Sequence, residues 1–324
     1  MGRNKAPPFP RTTMIRTFSF CFLLLLTPFA TAAEPLELVK GSKRILFLGD
    51  SITAAGGYIT HFDAWLISQK WEKTPTVINC GLPSETISGL SEEGHAGGKF
   101  PRPDLFERLD RVLALAKPDL LFACYGINCG IYQSYDGERF ARYQAGWKKL
   151  KEKVETAGGK LVIITPPFYD DFRAPKQGFK YNAVLDLYSE WLVSLRESDG
   201  TVIDLHSAMT AVVKKQRASD PMFTLQPDGV HPNADGQWVM AQQLIGAMGD
   251  KDVAAAKTPA DFFTAKKLPA TALPLIGQRM SLLRDSYVGT AGHLRPGVAK
   301  GLPVEEANQK AAELTATIGT LLGQ

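Results

Sequence analysis

The stretch Arg44-Ile-Leu-Phe-Leu-Gly-Asp-Ser51 decides the fold, because an unbroken apolar run ends there in a tight polar turn. Similar short apolar runs recur along the chain, and longer segments with helical spacing of apolar residues separate them. Apolar strands that alternate with helices are typical of a parallel sheet that is covered on both faces. The sequence therefore predicts an α/β protein with a three-layer α/β/α domain.

The same pattern assigns the remaining elements. Further strands are predicted at 76–79, 119–125, 160–165 and 201–204, and helices at 58–71, 104–116, 137–157, 181–196, 207–217 and 233–248. Residues 34–248 would form the catalytic domain. The C-terminal extension, residues 249–324, has weak periodicity over 251–275 and predicted helices at 279–287 and 304–322. We expect it to wrap the main domain; an independent module is the alternative.

Residues 1–33 have the pattern of a secretory signal peptide. Arg11 and Arg16 precede an apolar stretch over 18–29, and Ala30-Thr31-Ala32 offers a small-residue cleavage site. The apolar stretch is shorter than the roughly 20 residues that a membrane-spanning helix needs. We therefore expect export to the periplasm or the extracellular space, with no stable membrane anchor after cleavage. An uncleaved anchor is the alternative.

The charge distribution argues against nucleic acid as a partner. The chain has a formal net charge of +4, but residues 1–33 contain four basic residues and no acidic one. The remaining chain therefore carries 33 basic and 33 acidic residues. Such a balance gives no electrostatic attraction for a polyanion.

The cysteines do not indicate a metal site. Cys21 falls in the signal, which leaves Cys80, Cys124 and Cys129 at spacings that do not match structural zinc. The chain also has neither a His-x-x-x-His pair nor an acidic cluster that would support a metal-assisted hydrolase. We therefore expect no metal and no other cofactor.

Ser51 and His231 are the candidate nucleophile and base. Ser51 follows a strand directly, so its hydroxyl can point out of the sheet end, and a serine needs an adjacent base to become nucleophilic. Asp228 lies three residues before His231, a spacing at which a tight turn can bring its carboxylate to one imidazole nitrogen. Alternatively, Ser51 is only a turn residue that begins a helix, and His231 lies in an ordinary surface loop.

Backbone and side-chain amides near the other strand ends could form an oxyanion hole. Gly81 follows the second predicted strand, and Asn128 follows the third. The Gly81 N–H, the Asn128 side-chain amide and the Ser51 N–H are the three candidate donors to a developing oxyanion.

These four segments together resemble the SGNH (GDSL-type) hydrolases. The resemblance rests on Gly-Asp-Ser-Ile at 49–52, Gly81, Gly-x-Asn at 126–128 and Asp-x-x-His-Pro at 228–232, in this order, along about 44–245. It implies a flavodoxin-like parallel sheet, the SGNH hydrolase fold, and metal-free ester hydrolysis. It also implies Ser51 as nucleophile, His231 as base, Asp228 as its orienting acid, and Ser51, Gly81 and Asn128 as oxyanion donors.

One position departs from the family pattern. The third segment usually reads Gly-x-Asn-Asp, whereas Cys129 follows Asn128 here. The amide donor is retained, but the substitution changes how its loop is braced. We hypothesise that Cys129 forms a disulfide with Cys80 on a neighbouring loop.

The sequence thus predicts an exported serine esterase that hydrolyses short-chain, O-acetyl-type esters, with small molecules or glycans as substrates. Tyr125, Tyr132, Phe168 and Tyr169 near the strand ends could stack on sugar rings or simply pack. A lipase or lysophospholipase and a non-catalytic glycan-binding module are the alternatives. An intact triad argues against the binding module.

Overall fold

A computed structural model describes residues 1–2, 35–197 and 200–323, with only the backbone of Glu197 described. The signal peptide expected at 1–33 lies outside the described residues except for its first two. The described residues from 35 onward form one compact unit.

A five-stranded parallel sheet forms the centre of the molecule. Its strands are β1 (Arg44–Gly49), β2 (Thr76–Asn79), β3 (Leu120–Cys124), β4 (Lys160–Ile164) and β5 (Val202–Ile203), arranged in the order β2-β1-β3-β4-β5. Every residue of the central strand β3 is buried, as expected for a strand covered on both faces. The order is that of flavodoxin-like sheets, so the predicted fold class is confirmed.

Helices flank the sheet. They are α1 (Pro35–Lys40), α2 (Ser51–Ala55), α3 (Gly57–Ser68), α4 (Leu105–Ala116), α5 (Gly137–Thr156), α6 (Tyr181–Ser194), α7 (Leu205–Arg217), α8 (Ala234–Ala247), α9 (Pro259–Ala265), α10 (Ala272–Ala291) and α11 (Val304–Leu321). Short 3₁₀ segments lie at His95–Gly98, Leu195–Glu197 and Lys251–Ala255. The sequence pattern missed α1, α2 and α9. It made α10 too short, because Pro269 and Pro274 interrupt the apolar periodicity near the start of that helix.

Short polar side chains fix the helix starts that matter for the site. Asp50 accepts a hydrogen bond from the Ile52 N–H over 2.9 Å, so α2 begins at Ser51 itself. Asn233 accepts one from the Gly236 N–H over 2.9 Å and caps α8, which begins three residues after His231. Such capping satisfies N–H groups that have no partner inside the helix. Both chain segments therefore enter their helices at the carboxyl end of the sheet.

The C-terminal extension packs directly on the sheet domain. Helix α10 contacts α3, α4 and β2 along its length and α11 on its other side. Arg279 pairs with the buried Asp63 over 2.8 Å, and Arg284 Nη1 donates to the Ala54 carbonyl over 2.7 Å. These bonds attach the extension to α3 and to α2, the helix that carries Ser51. Among the described residues, no helix combines the length and the apolar character that crossing a membrane requires.

Candidate active site

Ser51, His231 and Asp228 lie in one hydrogen-bonded chain, although Ser51 and His231 are 180 residues apart. The Ser51 Oγ is 2.9 Å from Nε2 of His231, and Nδ1 of the same ring is 2.7 Å from Oδ2 of Asp228. This arrangement lets the imidazole accept the serine proton on one nitrogen while the carboxylate holds the other. The structure therefore brings together the three residues that the sequence singled out.

A tight turn sets the position of His231. The second carboxylate oxygen of Asp228 accepts the N–H groups of Val230 and His231 over 2.9 and 2.7 Å. Gly229 adopts a positive φ of 83°, and a Cβ there would lie 2.4 Å from the Cβ of Ala174. The turn thus requires glycine at position 229. It brings the Asp228 carboxylate to the His231 ring across a spacing of three residues.

The same hydrogen bonds keep Asp228 ionised. Desolvation raises the pKa of this carboxyl, but the His231 backbone N–H, the His231 ring and the Val230 N–H together outweigh it and lower the pKa below its usual value. The two side chains remain half exposed, at 51% for His231 and 56% for Asp228. His231 and Asp228 therefore face solvent at the surface.

Ser51 lies at the first position of α2, where its own N–H has no acceptor within the helix. The preceding residue, Asp50, is buried, and this burial raises the pKa of its carboxyl to about 7 in spite of the hydrogen bond from Ile52. Because Ser51 is the first residue of α2 and the Asp50 carboxylate accepts the Ile52 N–H, the Ser51 N–H can donate to a substrate oxygen beside Oγ.

The Gly81 N–H already has an internal acceptor. It donates to Oδ1 of Asn79 over 2.9 Å, while Nδ2 of Asn79 donates to the Thr53 carbonyl over 2.7 Å. A Cβ at position 81 would lie only 2.4 Å from the backbone nitrogen of Ala54, so only glycine permits this approach to α2. Gly81 thus lies beside the turn of Ser51, but an oxyanion would have to share its N–H with Asn79.

The Asn128 amide is held from two sides. Its Nδ2 donates to the Glu85 carbonyl over a long 3.4 Å, and its Oδ1 accepts the Tyr132 hydroxyl over 3.0 Å. Because Nδ2 carries two N–H groups, one remains for a substrate oxygen. Ile131 and Tyr132 have positive φ values of 45° and 55°, a conformation that is unfavourable for both residue types.

The hypothesis of a disulfide between Cys80 and Cys129 is wrong. Both thiols are free and buried, as is that of Cys124. Burial raises the pKa of Cys80 and of Cys129 to about 12, and the Cys129 thiol lies against the backbone N–H groups of Ile87 and Ser88. Cys129 therefore packs as a small apolar residue, and the Tyr132 hydroxyl braces the Asn128 loop instead.

A buried ion pair that the sequence did not reveal lies beneath both loops. Arg108 donates to the two carboxylate oxygens of Glu85 over 2.6 and 2.7 Å and to the Cys80 carbonyl over 2.7 Å. The Tyr125 hydroxyl donates to the same carboxylate over 2.5 Å. Because Cys80 and Tyr125 precede the Gly81 and Asn128 segments, this ion pair fixes both segments relative to each other.

The aromatic residues near the strand ends serve mainly as packing. Tyr125, Phe168 and Tyr169 are buried, and only Tyr132 is partly exposed. A cavity of about 340 Å³ opens beside Ser51 and Gly81, and the extension forms its far wall. Within the described part of the chain, no group of three or more His, Cys, Asp or Glu side chains is placed to hold a metal ion.

Comparison with known proteins identifies relatives for this part of the chain. The family model of the GDSL-like lipase/acylhydrolase family matches residues 47–239. The thioesterase 1/protease 1/lysophospholipase L1 of Escherichia coli (strain K12) is 28% identical over 235 residues, which cover 69% of this chain and 90% of that protein.

Some solved structures are similar to this chain at lower identity. BT4096, a gut microbial diltiazem-metabolizing enzyme, superposes with a TM-score of 0.50 at 22% identity, over 64% of this chain. The present chain spans about half of that enzyme's length, 47%. The acetylxylan esterase Axe2 of Geobacillus stearothermophilus has a TM-score of 0.49 at 20% identity, over 64% of this chain and 95% of Axe2.

Proposed function

Because the chain belongs to the GDSL-like lipase/acylhydrolase family and is a carboxylic ester hydrolase, we propose that it is an exported serine esterase. Its substrates would be short-chain, O-acetyl-type acyl esters, with glycans as the candidate alcohols. The observation that carries the proposal is the 2.9 Å contact between the Ser51 Oγ and His231 Nε2, continued by the 2.7 Å contact to Asp228.

In the proposed acylation step, His231 Nε2 takes the proton of the Ser51 hydroxyl as Oγ attacks the ester carbonyl carbon. The imidazolium that forms is stabilised by the ionised Asp228 at Nδ1. The carbonyl oxygen becomes an oxyanion that accepts the Ser51 N–H, the second N–H of Asn128 Nδ2 and a share of the Gly81 N–H.

The intermediate then collapses, and His231 donates its proton to the departing alcohol, which leaves an acyl group on Ser51. A water molecule, deprotonated by His231, attacks this acyl-enzyme and releases the carboxylic acid. The exposed position of His231 supports this step, since water reaches the imidazole directly.

The size of the cavity supports a short acyl group. Its volume of about 340 Å³ is near the lower end of ligand pockets, which span roughly 300–1,000 Å³. The half-exposed His231 supports a large alcohol such as a glycan, because the leaving group at this position would extend into solvent.

A fluorophosphonate probe tests the nucleophile. We expect the purified protein to gain one adduct on Ser51, located by peptide mass spectrometry, and Ser51→Ala to gain none while keeping its circular dichroism spectrum. Hydrolysis of p-nitrophenyl acetate should disappear with the adduct and should be unaffected by a chelator. A protein that folds and binds no probe would favour the non-catalytic glycan-binding module.

A long-chain acyl substrate is the second candidate, since the E. coli relative is named a thioesterase and lysophospholipase. A series of p-nitrophenyl acetate, butyrate and palmitate distinguishes the two. We expect kcat/KM to fall from acetate or butyrate to palmitate; a rise toward palmitate would favour the lipid substrate.

Export rests on the pattern of residues 1–33 and is tested by the mature N-terminus. We expect the protein recovered from the periplasm or medium to have lost about the first 33 residues, and intact mass gives the cleavage point. A full-length protein in the membrane fraction would favour the uncleaved anchor.

A further inference from the structure

The cavity beside Ser51 is built jointly by the family domain and by the C-terminal extension. Its lining includes Ser51, Ala54 and Gly81 from the domain and Arg284, Arg295 and Val298 from the extension. The family match ends at residue 239, so the outer wall is specific to the part of the chain that follows. Its residues can therefore set a preference that the matched domain alone does not determine.

The cavity lies on the acyl side of the nucleophile. In the proposed mechanism His231 returns its proton to the departing alcohol, so the alcohol lies beside His231. The cavity lining includes Ser51 and Gly81 but neither His231 nor Asp228. The part of the ester that enters the cavity is therefore the acyl group.

Arg295 has unused hydrogen-bonding capacity in this wall. Its guanidinium lies 5.1 Å from the ring centroid of Phe100, and Nη1 donates to the Pro296 carbonyl over 2.5 Å. Its Nε is buried without an acceptor, and no carboxylate of the described residues lies within ion-pairing distance of it. A guanidinium offers five N–H donors, so most of those of Arg295 remain for a ligand.

Arg284, the other arginine of the wall, has its hydrogen-bond acceptors within the protein. Arg284 pairs with Asp285 over 2.8 Å and donates to the Ala54 carbonyl over 2.7 Å, so its charge is compensated and its position is structural. The compensated pair leaves Arg295 as the uncompensated positive charge among the wall residues that line the cavity. A guanidinium in this state is suited to bind a carboxylate.

We propose that Arg295 binds a carboxylate at the far end of the substrate's acyl group, so that the enzyme prefers half-esters of short dicarboxylic acids over neutral acyl esters of equal length. This inference rests on the proposed serine esterase function. The acyl carbonyl lies at Ser51, the short chain crosses the cavity, and the terminal carboxylate accepts hydrogen bonds from the guanidinium.

Two matched esters test the proposal on the full mature enzyme. p-Nitrophenyl hemisuccinate and p-nitrophenyl butyrate have acyl chains of equal length and differ in a terminal carboxylate against a methyl group. We expect kcat/KM of the wild type to favour the hemisuccinate after the spontaneous hydrolysis is subtracted. Arg295→Met should lower this ratio by about 10- to 100-fold, the range for hydrogen bonds to a charged group.

Two further variants complete the test. Arg295→Lys keeps the charge and should restore part of the preference, whereas Arg142→Met removes an exposed arginine that is remote from the cavity lining and should leave the ratio unchanged. If butyrate is hydrolysed and Arg295→Met leaves the ratio at the wild-type value, the inference about Arg295 is wrong and the esterase function stands. If the wild type hydrolyses neither ester, the proposed function fails and the inference fails with it.

Discussion

The hydroxyl of Tyr132 donates a hydrogen bond to Oδ1 of Asn128 over 3.0 Å. This bond fixes the orientation of the amide, so Nδ2 rather than Oδ1 faces the place where an oxyanion would form. Tyr132 therefore acts through Asn128, in a segment where Cys129 stands in place of the aspartate of the family pattern.

Replacing Tyr132 by phenylalanine should lower kcat about 3- to 10-fold, as expected for the loss of one neutral hydrogen bond, with little change in KM. The reason is that Asn128 would stabilise the transition state less well while the substrate contacts remain. Tyr135→Phe is the matched control, because Tyr135 is exposed and makes no hydrogen bond to Asn128. An unchanged kcat in Tyr132→Phe would show that the backbone alone holds the amide.

Replacing Asp228 by asparagine should lower kcat by about 10³–10⁴-fold, because the amide can stabilise neither the required tautomer nor the imidazolium. Asp235→Asn, at an exposed site in the first turn of α8, should leave kcat unchanged. Steady-state kinetics on a short acyl ester measure both variants. A loss of less than about tenfold would mean that solvent, which reaches both side chains, replaces the carboxylate.

Asp50 should make the stability of the enzyme depend on pH. Its folded-state pKa of about 7 lies above the ordinary value of 3.8 because the carboxyl is buried. Between these two values the folded state holds a proton that the unfolded state has lost, so this group's contribution makes the free energy of unfolding fall as pH rises. The loss of stability that this group causes begins above pH 3.8 and is complete only above about pH 7.

Asp50→Asn removes this titration but keeps an oxygen that can accept the Ile52 N–H. We expect the melting temperature of the variant to rise relative to wild type between pH 5 and pH 8, with a change of up to about 3 kcal/mol in the free energy of unfolding. Thermal unfolding at both pH values measures it. A difference that is independent of pH would contradict the buried, protonated state.

Replacing Arg108 by methionine should lower the free energy of unfolding by about 3–5 kcal/mol, because it leaves the buried Glu85 without its counter-charge. The double variant Glu85→Gln/Arg108→Met should lose less than the sum of the two single changes, since no isolated charge remains. Urea unfolding measures all three. Additive losses would show that the two side chains are not energetically coupled.

The sequence is informative wherever a candidate side chain lies within a few residues of a strand end. Ser51 and Asn128 could be placed in this way, since β3 and the part of β1 after Arg44 are apolar and parallel strands share one carboxyl edge. Asp228 and His231 could be paired because they lie three residues apart in a turn that contains Gly229, and this spacing brings the carboxylate close to the imidazole ring. In each case the sequence pattern spans only a few residues, and the fold brings these separate segments together.

The rest depends on packing that leaves no local pattern. Tyr132 reaches Asn128 only because Ile131 and Tyr132 adopt positive φ values, which the sequence does not predict for these residue types. Cys129 showed that the segment departs from the family pattern, but it did not show which residue contacts Asn128. Glu85 and Arg108 are charged residues that would ordinarily be expected at the surface. Arg295 reaches the cavity because α10 packs on α3 and α4. The sequence did not predict this packing, because the periodicity of the segment is weak and Pro269 and Pro274 interrupt it.

The attachment of Arg284 to the Ala54 carbonyl has a consequence for biosynthesis. The two residues are 230 positions apart, so the turn that carries Ser51 is translated long before the residue that secures it. A nascent chain that has emerged only as far as α8 holds Ser51, His231 and Asp228 but still has an open side where the outer wall belongs. The cavity beside Ser51 is therefore complete only after α10 and the segment that follows it have been synthesised.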